Sequence, residues 1–365
     1  MPKRIGYLYE MVIDRDNILA AIAEMTKNKK NHRGAMRILK SKERVAREIQ
    51  LELIEGTWQP SEPRRKTIYD GHRKKERNLL IPNLHDQIIH HAVMRVTVPL
   101  LMRRNYFYSC GSVPSAGQKR ACDAIKGWMK RRAPTYAATM DIRKFYENCP
   151  HSAVMDGLQR IVKDKRFLVL HEMILTQMSS SGVGLAIGFY PSPWYANLVL
   201  TKIDNAIKDK YGHAIRRGKK SSAPEIRMVR YADDIVMVGN NRRKLYQARS
   251  DVQQMLAEMG MTLKPDWRVF RAAEWISFLG YRCFCGFTLM SKRLMRDVAR
   301  RSVKAYLKHS IHSLRSVLSD IGILRQCDSF NFRSAWVINL YNINNFKRMM
   351  GNYDGSRIQS KAVTA

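Results

Sequence analysis

Apolar positions recur along the chain at two different periods, and the switches between them mark its elements. Residues 16–25, DNILAAIAEM, place Ile18, Ile22 and Met25 at helical spacing behind Asp16 or Asn17 as a cap, and AREIQLELIEG repeats the pattern further on. Residues 1–60 are therefore expected to be helical and basic. From about 61 to 82, SEPRRKTIYDGHRKKERNLLIP, Pro and Gly punctuate dense Lys and Arg and short β-like runs, which predicts a charged hairpin. Helical spacing returns in HDQIIHHAVMRVTVPLLM. Near 136 the period shortens, and YAATMD reads as an apolar strand that ends on an acid. A long helical stretch is expected over 151–178, then a glycine-bearing loop, SSSGVGLAIGFYPSP, and the helix WYANLVLTKIDNAI. The basic loop IRRGKKSSAPE leads to RMVRYADDIVMVG, whose arms of Val, Ile and Met predict a hairpin with Ala232, Asp233 and Asp234 at the reversal. A charged helix ending near Gly260 follows, and after 290 the chain is again basic and helical.

Composition narrows the partners. A chain of 365 residues, 45% of them hydrophobic, has enough material for a sizeable core in about two domains or one domain with subdomains. Its 65 Lys and Arg against 31 Asp and Glu leave a formal charge of +34, a field that draws polyanions, nucleic acid first among them. An anionic membrane surface is the rival, but no apolar run approaches the roughly 18 residues that spanning needs, and no stretch is built as an amphipathic anchor. No membrane partner is expected. MPKRIGYLYEMVIDRD lacks the continuous apolar core of a signal peptide, so the expected location is cytoplasmic. Cys110, Cys122, Cys149 and Cys327 stand alone, and Cys283 and Cys285 have no second ligand pair at zinc spacing, which predicts reduced core thiols.

Adjacent carboxylates at the tip of an apolar ribbon need a reason in so basic a chain. A tight turn uses Asp for mundane purposes, since it tolerates unusual dihedrals and bonds its own backbone. Asp141 changes the reading, because it closes a second strand and is followed at once by IRKFYENCP. Three carboxylates from two strand ends make a hard-oxygen site suited to Mg²⁺ shared with substrate phosphates. Two such ions about 4 Å apart stabilise the attacking and leaving oxygens of an in-line phosphoryl transfer.

The order of Asp141 in MDIRKFY, IGFYPSPWYANL, YADD, GMTLKPDW and FLGY resembles the palm of a reverse transcriptase over roughly residues 60–290. That resemblance implies an α+β right-hand polymerase fold: a basic helical segment at 1–60, fingers at 61–135, a ferredoxin-like palm at 136–290 and a helical basic thumb at 291–365. It implies two Mg²⁺ ions, with Mn²⁺ as a substitute, held by Asp141, Asp233 and Asp234 with the carbonyl of Ile142. Tyr146 matches the steric gate that tests for a ribose 2′-hydroxyl, a core aromatic being the alternative. Arg77, then Lys75, in KKERNLLIP match the basic strand that holds an incoming dNTP. Gly111, in YSCGSVPSAGQKRACDAI, falls in the segment that supports template and nucleotide. Gly188 and Ser192 fall in the loop below the nascent pair. Lys264 matches a lysine proposed to protonate leaving pyrophosphate, a role that needs a lowered pKa; an ordinary phosphate contact is the alternative. Phe278, Leu279, Gly280 and Tyr281 resemble the primer grip. The implied partners are a template RNA, the RNA/cDNA duplex and dNTP substrates.

KRIGYLYEMVIDRDNI, Ile187 before Gly188, and DWRVFRAAEWISFLGYRCFCGFTLMSK resemble the reverse transcriptases of diversity-generating retroelements. These copy a template RNA with errors at adenines and work with a small basic accessory protein, here an expected partner. Pro193 departs from that family, which carries Gln after the serine, and matches group II intron enzymes instead. A stand-alone bacterial reverse transcriptase of antiviral defence or group II intron type is the alternative, and a non-catalytic structured-RNA-binding protein is the alternative of another class. No RNase H domain is expected in the segment after 290.

Overall fold

The computed structural model describes residues 4–70, 75–131, 134–212, 215–216, 219–220, 225–272, 274–308 and 311–338. Residues 339–365 of the expected thumb and most of the basic loop before the YADD hairpin lie outside the described residues. The chain forms two compact units, one of residues 1–117 and 138–269, the other of 118–137 and 270–365.

In the first unit the helices α1 (Leu8–Ile13), α2 (Arg15–Thr26), α3 (Arg33–Lys40) and α4 (Lys42–Glu55) open the chain. Ile18, Ile22 and Met25 are buried, as their spacing requires, but the cap of α2 is Asp14, whose carboxylate accepts from the Asp16 and Asn17 amides. The antiparallel hairpin of β1 (Arg64–Asp70) and β2 (Lys75–Ile81) follows, then α5 (Leu84–Met102), capped by Asn83. After α6 (Gly117–Arg131) come β3 (Tyr136–Asp141) and the short α7 (Phe145–Asn148).

The stretch 151–178 is two helices, α8 (His151–Gln159) and α9 (Lys165–Met178), not one. The break comes where Val162 bridges to Ile5 and where Asp164 caps α9 through the Phe167 amide while its other oxygen holds the amides of Leu8 and Tyr9. One acid thus starts a helix and staples the N-terminus to it. The buried face of α10 (Ser192–Tyr211) packs on α8, α11 (Arg242–Ala257) and β6. Beyond the two-residue strands β4 (Ile215–Arg216) and β5 (Lys219–Lys220), β6 (Ile226–Tyr231) and β7 (Asp234–Gly239) form the expected hairpin. With β8 (Arg268–Arg271) they complete a four-stranded sheet in the order β6-β7-β3-β8.

In the second unit, β9 (Ile276–Phe278), β10 (Tyr281–Cys283) and β11 (Thr288–Met290) form an antiparallel sheet in the order β11-β10-β9. It shares that unit with α6 and with α12 (Lys292–Lys308), α13 (Ile311–Leu324) and α14 (Phe330–Arg333). Arg301 on α12 grips Asp320 on α13 with two bonds of 2.6 Å. Four of the cysteines are core thiols as expected, but Cys285 is exposed and Cys327 half-buried. No described helix is long and apolar enough to cross a membrane.

Candidate active site

The β6–β7 reversal is tighter than the sequence suggests. Tyr231 pairs with Asp234, so only Ala232 and Asp233 turn, and Asp234 is the first residue of β7. Ala232 has φ 54° and Asp233 is not in the left-handed region, the φ pattern of a type II′ turn with Ala where Gly is preferred. Asp141 ends β3, the neighbour of β7 in the sheet, and the amide of Ile142 donates to the carbonyl of Asp233 at 3.3 Å. Strand pairing alone therefore carries all three acids to one edge.

Lys264 arrives from the segment after α11. Its amide donates to the Asp141 carbonyl at 2.8 Å and its Nζ lies 2.6 Å from Asp141 Oδ2. The Lys264 side chain is 40% exposed and that of Asp141 25%, so the pair is open to solvent exchange. Burial pulls the Lys264 pKa down, but the bond to Asp141 and the charges of the three acids outweigh it and raise the pKa. Paired in this way, Lys264 is a cation held by the acids, the reverse of the lowered pKa that a proton donor requires. Asp234 is pushed up to about 6 by burial, then by the charges of Asp141 and Asp233 and a bond to Asp141.

These residues fit a divalent ion that shares its coordination with substrate. Asp141 Oδ1 is buried and unpartnered, and the carboxylates repel one another enough to raise Asp234. Among the described residues no three His, Cys, Asp or Glu side chains come together as a group that could hold a metal ion. Mg²⁺ accommodates that, since it binds through one or two carboxylates and keeps waters or phosphate oxygens for the rest.

Around the acids, Tyr146 is half-buried, its ring edge-on to Phe145 with centroids 5.7 Å apart. Burial and the Asp233 charge push its hydroxyl up to about 12, so it stays a neutral donor. Its carbonyl accepts from the Leu185 amide at 2.7 Å, which ties the glycine-bearing loop to the segment after β3. That loop also holds β2: the Leu80 amide donates to Ile187 at 2.9 Å, and a Cβ on Gly188, at φ 114°, would lie 2.3 Å from the Leu80 carbonyl oxygen. Arg77, three residues before Leu80 and half-buried, is thereby registered to this loop; Lys75 is the first residue of β2, and its side chain lies outside what is described. Ser192 is buried, and its hydroxyl donates to the Ala186 carbonyl at 2.6 Å, closing the loop from inside. Gly111 lies against the turn itself: a Cβ there would come within 2.4 Å of the Ala232 nitrogen. In the second unit, Phe278 and Tyr281 pair across a two-residue turn in which Leu279 (φ 52°) and Gly280 (φ 83°) are both left-handed. Phe278 and Tyr281 are buried there and Leu279 is half-buried at the tip.

Sequence reasoning missed what lies beneath the turn. Arg230 and Asp204, each 1% exposed, form a buried ion pair, joined by Asn197 of α10 and by Ser109. Burial raises the Asp204 pKa against the pull of the guanidinium. The signal was present: Arg230 shares strand parity with the buried Ile226 and Met228, and Asn197 and Asp204 are seven residues apart on the buried face of α10.

The family model described as reverse transcriptase (RNA-dependent DNA polymerase) matches residues 72–283, more than half of the chain and all the acids above. The chain belongs to the reverse transcriptase family. Its fold is accordingly the right-hand polymerase fold, of the expected α+β class, and residues 72–283 form an RNA-directed DNA polymerase, a nucleotidyltransferase domain. Reverse transcriptases generally use divalent metal ions, in keeping with the donor set. The chain is 22% identical to Protein YkfC of Escherichia coli (strain K12) over 274 residues, 66% of this chain and 72% of that one. It is 22% identical to the putative COX1/OXI3 intron 2 protein of Saccharomyces cerevisiae (strain ATCC 204508 / S288c), over 56% of this chain and 30% of that one. Among solved structures it is similar to apo telomerase from Candida tropicalis truncated from its C-terminal domain, with a TM-score of 0.48, 12% identity and coverage of 63% of this chain and 55% of the other. It is also similar to telomerase from Candida albicans in complex with the TWJ fragment of telomeric RNA, with a TM-score of 0.46, 13% identity and coverage of 81% and 58%. This reverse transcriptase thus spans little more than half the length of those telomerase chains and under a third of the yeast protein.

Proposed function

We propose that this chain copies a template RNA into cDNA by nucleotidyl transfer at Asp141, Asp233 and Asp234, as the reverse transcriptase of a diversity-generating retroelement. The observation that carries the reading is the bond from the Ile142 amide to the Asp233 carbonyl, which sets the acid at the end of β3 beside the acids of the hairpin. Asp141 and Asp233, with Asp234 and the Ile142 carbonyl, would hold the divalent ions, which when bound stabilise the attacking 3′-oxygen and the leaving oxygens of the triphosphate. Arg77 and Lys75 on β2 hold the triphosphate, and the anchoring of β2 to Ile187 sets their distance from the acids. Tyr146 would be the side chain that tests for a ribose 2′-hydroxyl. Lys264, beside Asp141, would contact substrate phosphate. Residues 61–135, 136–290 and 291–365 serve as fingers, palm and thumb, with 278–281 as primer grip and Gly111 supporting the template side from behind the turn. The surplus of cations binds the phosphates of template and duplex, so affinity falls steeply with salt.

The retroelement assignment rests on the N-terminal segment, on Ile187 before Gly188 and on residues 266–292, and it carries with it a small basic accessory protein. Pro193, in the first turn of α10, favours a second reading, a stand-alone or group II intron-type enzyme, and the similarity to the yeast intron 2 protein accords with it. Primer extension on an RNA template with Mg²⁺, comparing wild type with Asp233→Asn, tests the activity: incorporation is expected in the first and lost in the second, and equal incorporation refutes the site. Sequencing the cDNA separates the readings, since substitutions concentrated at template adenines are expected for the retroelement type and uniform fidelity refutes it.

A further inference from the structure

We propose that Arg230, fixed by Asp204, is a positioning residue that sets the shape of the acid-bearing turn and, through it, the maximal rate of nucleotide addition. The inference rests on the polymerase reading above and names a device that neither sequence motif nor family match assigns.

All five N–H groups of the guanidinium are used. Nε bonds Asp204 Oδ1 at 2.9 Å and Oδ2 at 3.0 Å, and Nη2 bonds Asp204 Oδ2 and Ser109 Oγ, both at 2.7 Å. Nη1 bonds Asn197 Oδ1 at 3.1 Å and, at 2.9 Å, the carbonyl oxygen of Ala232. The last bond is the informative one. That carbonyl belongs to the peptide linking Ala232 to Asp233, so its direction fixes the plane from which the Asp233 side chain departs. Ala232 holds a left-handed φ of 54°, which an L residue leaves readily unless its surroundings prevent it.

The turn is also held from the side. The segment before α6 runs parallel to β6 through the Ser109–Arg230 bridge, with Cys110 donating to the Arg230 carbonyl at 2.8 Å and Arg230 donating to the Tyr108 carbonyl at 3.0 Å. Gly111 then lies flat on Ala232, too close for any Cβ, and its own carbonyl accepts from Asn197 Nδ2 at 2.8 Å. Asn197 therefore serves both clamps, with its oxygen to Arg230 and its amide to Gly111.

A buried ion pair is weak grounds for stability, because apolar side chains of similar volume often serve as well. They cannot bond the Ala232 carbonyl. Displacing a reacting group by about 1 Å lowers a rate on the order of 10²-fold.

The experiment replaces the pair with apolar residues, Arg230→Met with Asp204→Leu, and separately makes Arg230→Lys, which keeps a charge beside Asp204 but loses the fork. Melting temperature, primer-extension kcat, KM for dNTP and the Mg²⁺ concentration giving half-maximal rate are measured for each, with Asp233→Asn alongside. The double variant is expected to fold, with kcat lower on the order of 10²-fold, KM for dNTP changed by less than about threefold and the Mg²⁺ requirement raised. Arg230→Lys is expected to lose about tenfold in kcat. A folded variant with kcat and Mg²⁺ requirement at wild-type values overturns the proposal, and so does failure of both variants to fold, since the pair is then a stability device. If Asp233→Asn stays active, the polymerase site itself is misassigned whatever Arg230 does; if it is dead while the Arg230 variants run at full rate, only the positioning role fails.

Discussion

Two ion pairs flank the same hairpin and are built in opposite ways. Arg230 and Asp204 meet beneath it with 1% of either side chain exposed and every guanidinium proton used, whereas Lys264 and Asp141 meet at its edge through one contact, 40% and 25% exposed. The enclosed pair cannot trade partners without leaving a charge in the core. The open pair can, because water reaches it and Asp141 keeps an unpartnered oxygen. The contrast separates a fixed frame from an open edge: the pair under the turn is enclosed on every side, while the acids on top share a lysine that solvent can reach.

The sharpest way to break this contrast is to halve each pair. Asp204→Ala leaves Arg230 buried and unpaired and is expected to lower unfolding free energy by about 3–5 kcal/mol in urea titrations. A loss below about 1 kcal/mol would show that water reaches the guanidinium and that the pair is not enclosed.

A second enclosed group tests the same idea through pH. His171 is fully buried, bonded to Tyr195 Oη at 2.7 Å and to Thr97 Oγ1 at 3.1 Å, and burial lowers its pKa to about 3. The unfolded chain takes up the proton first, near pH 6.5, so this contribution to stability is complete above that pH and is lost as pH falls toward 3. Between pH 7 and 5 the loss is expected to be about 2 kcal/mol, and His171→Phe should flatten that slope in urea titrations at the two pH values. His90, lowered to about 4 by burial, adds in the same direction. A slope unchanged by His171→Phe would mean that the imidazole is not held neutral by its surroundings.

The smallest effect belongs to the open pair. Lys264→Ala is expected to change unfolding free energy by less than about 1 kcal/mol, while Mg²⁺ should raise the melting temperature more in the variant than in wild type, because the ammonium no longer competes for Asp141. An equal Mg²⁺ shift in both would mean that Lys264 and metal do not share a site.

Much of this was legible in the sequence because it depends on local period. The β6–β7 hairpin followed from Val and Ile alternation around Ala232, α2 and α5 from spacing of Ile and Leu, and the β1–β2 pair from Pro and Gly punctuation. The acids were found because they interrupt apolar runs. What escaped was set by residues far apart in the chain. Asp164 breaks 151–178 in two by capping one helix while holding the amides of Leu8 and Tyr9, a pairing that no window of sequence contains. Arg230 lies among the cations of a basic chain, but its parity turns it inward to Asp204, which sits on the face of α10 that packs on β6. Likewise α6 and residues 270–290 join the C-terminal helices in one compact unit, which contact and not adjacency decides.

The central claim is that Asp141 and the hairpin acids act together on a divalent ion. Mn²⁺ titration of the protein, with free Mn²⁺ counted by electron paramagnetic resonance, measures this without turnover. Wild type is expected to retain Mn²⁺ at a site that weakens at least about tenfold in both Asp141→Asn and Asp233→Asn; binding by either variant that matches wild type would contradict the account.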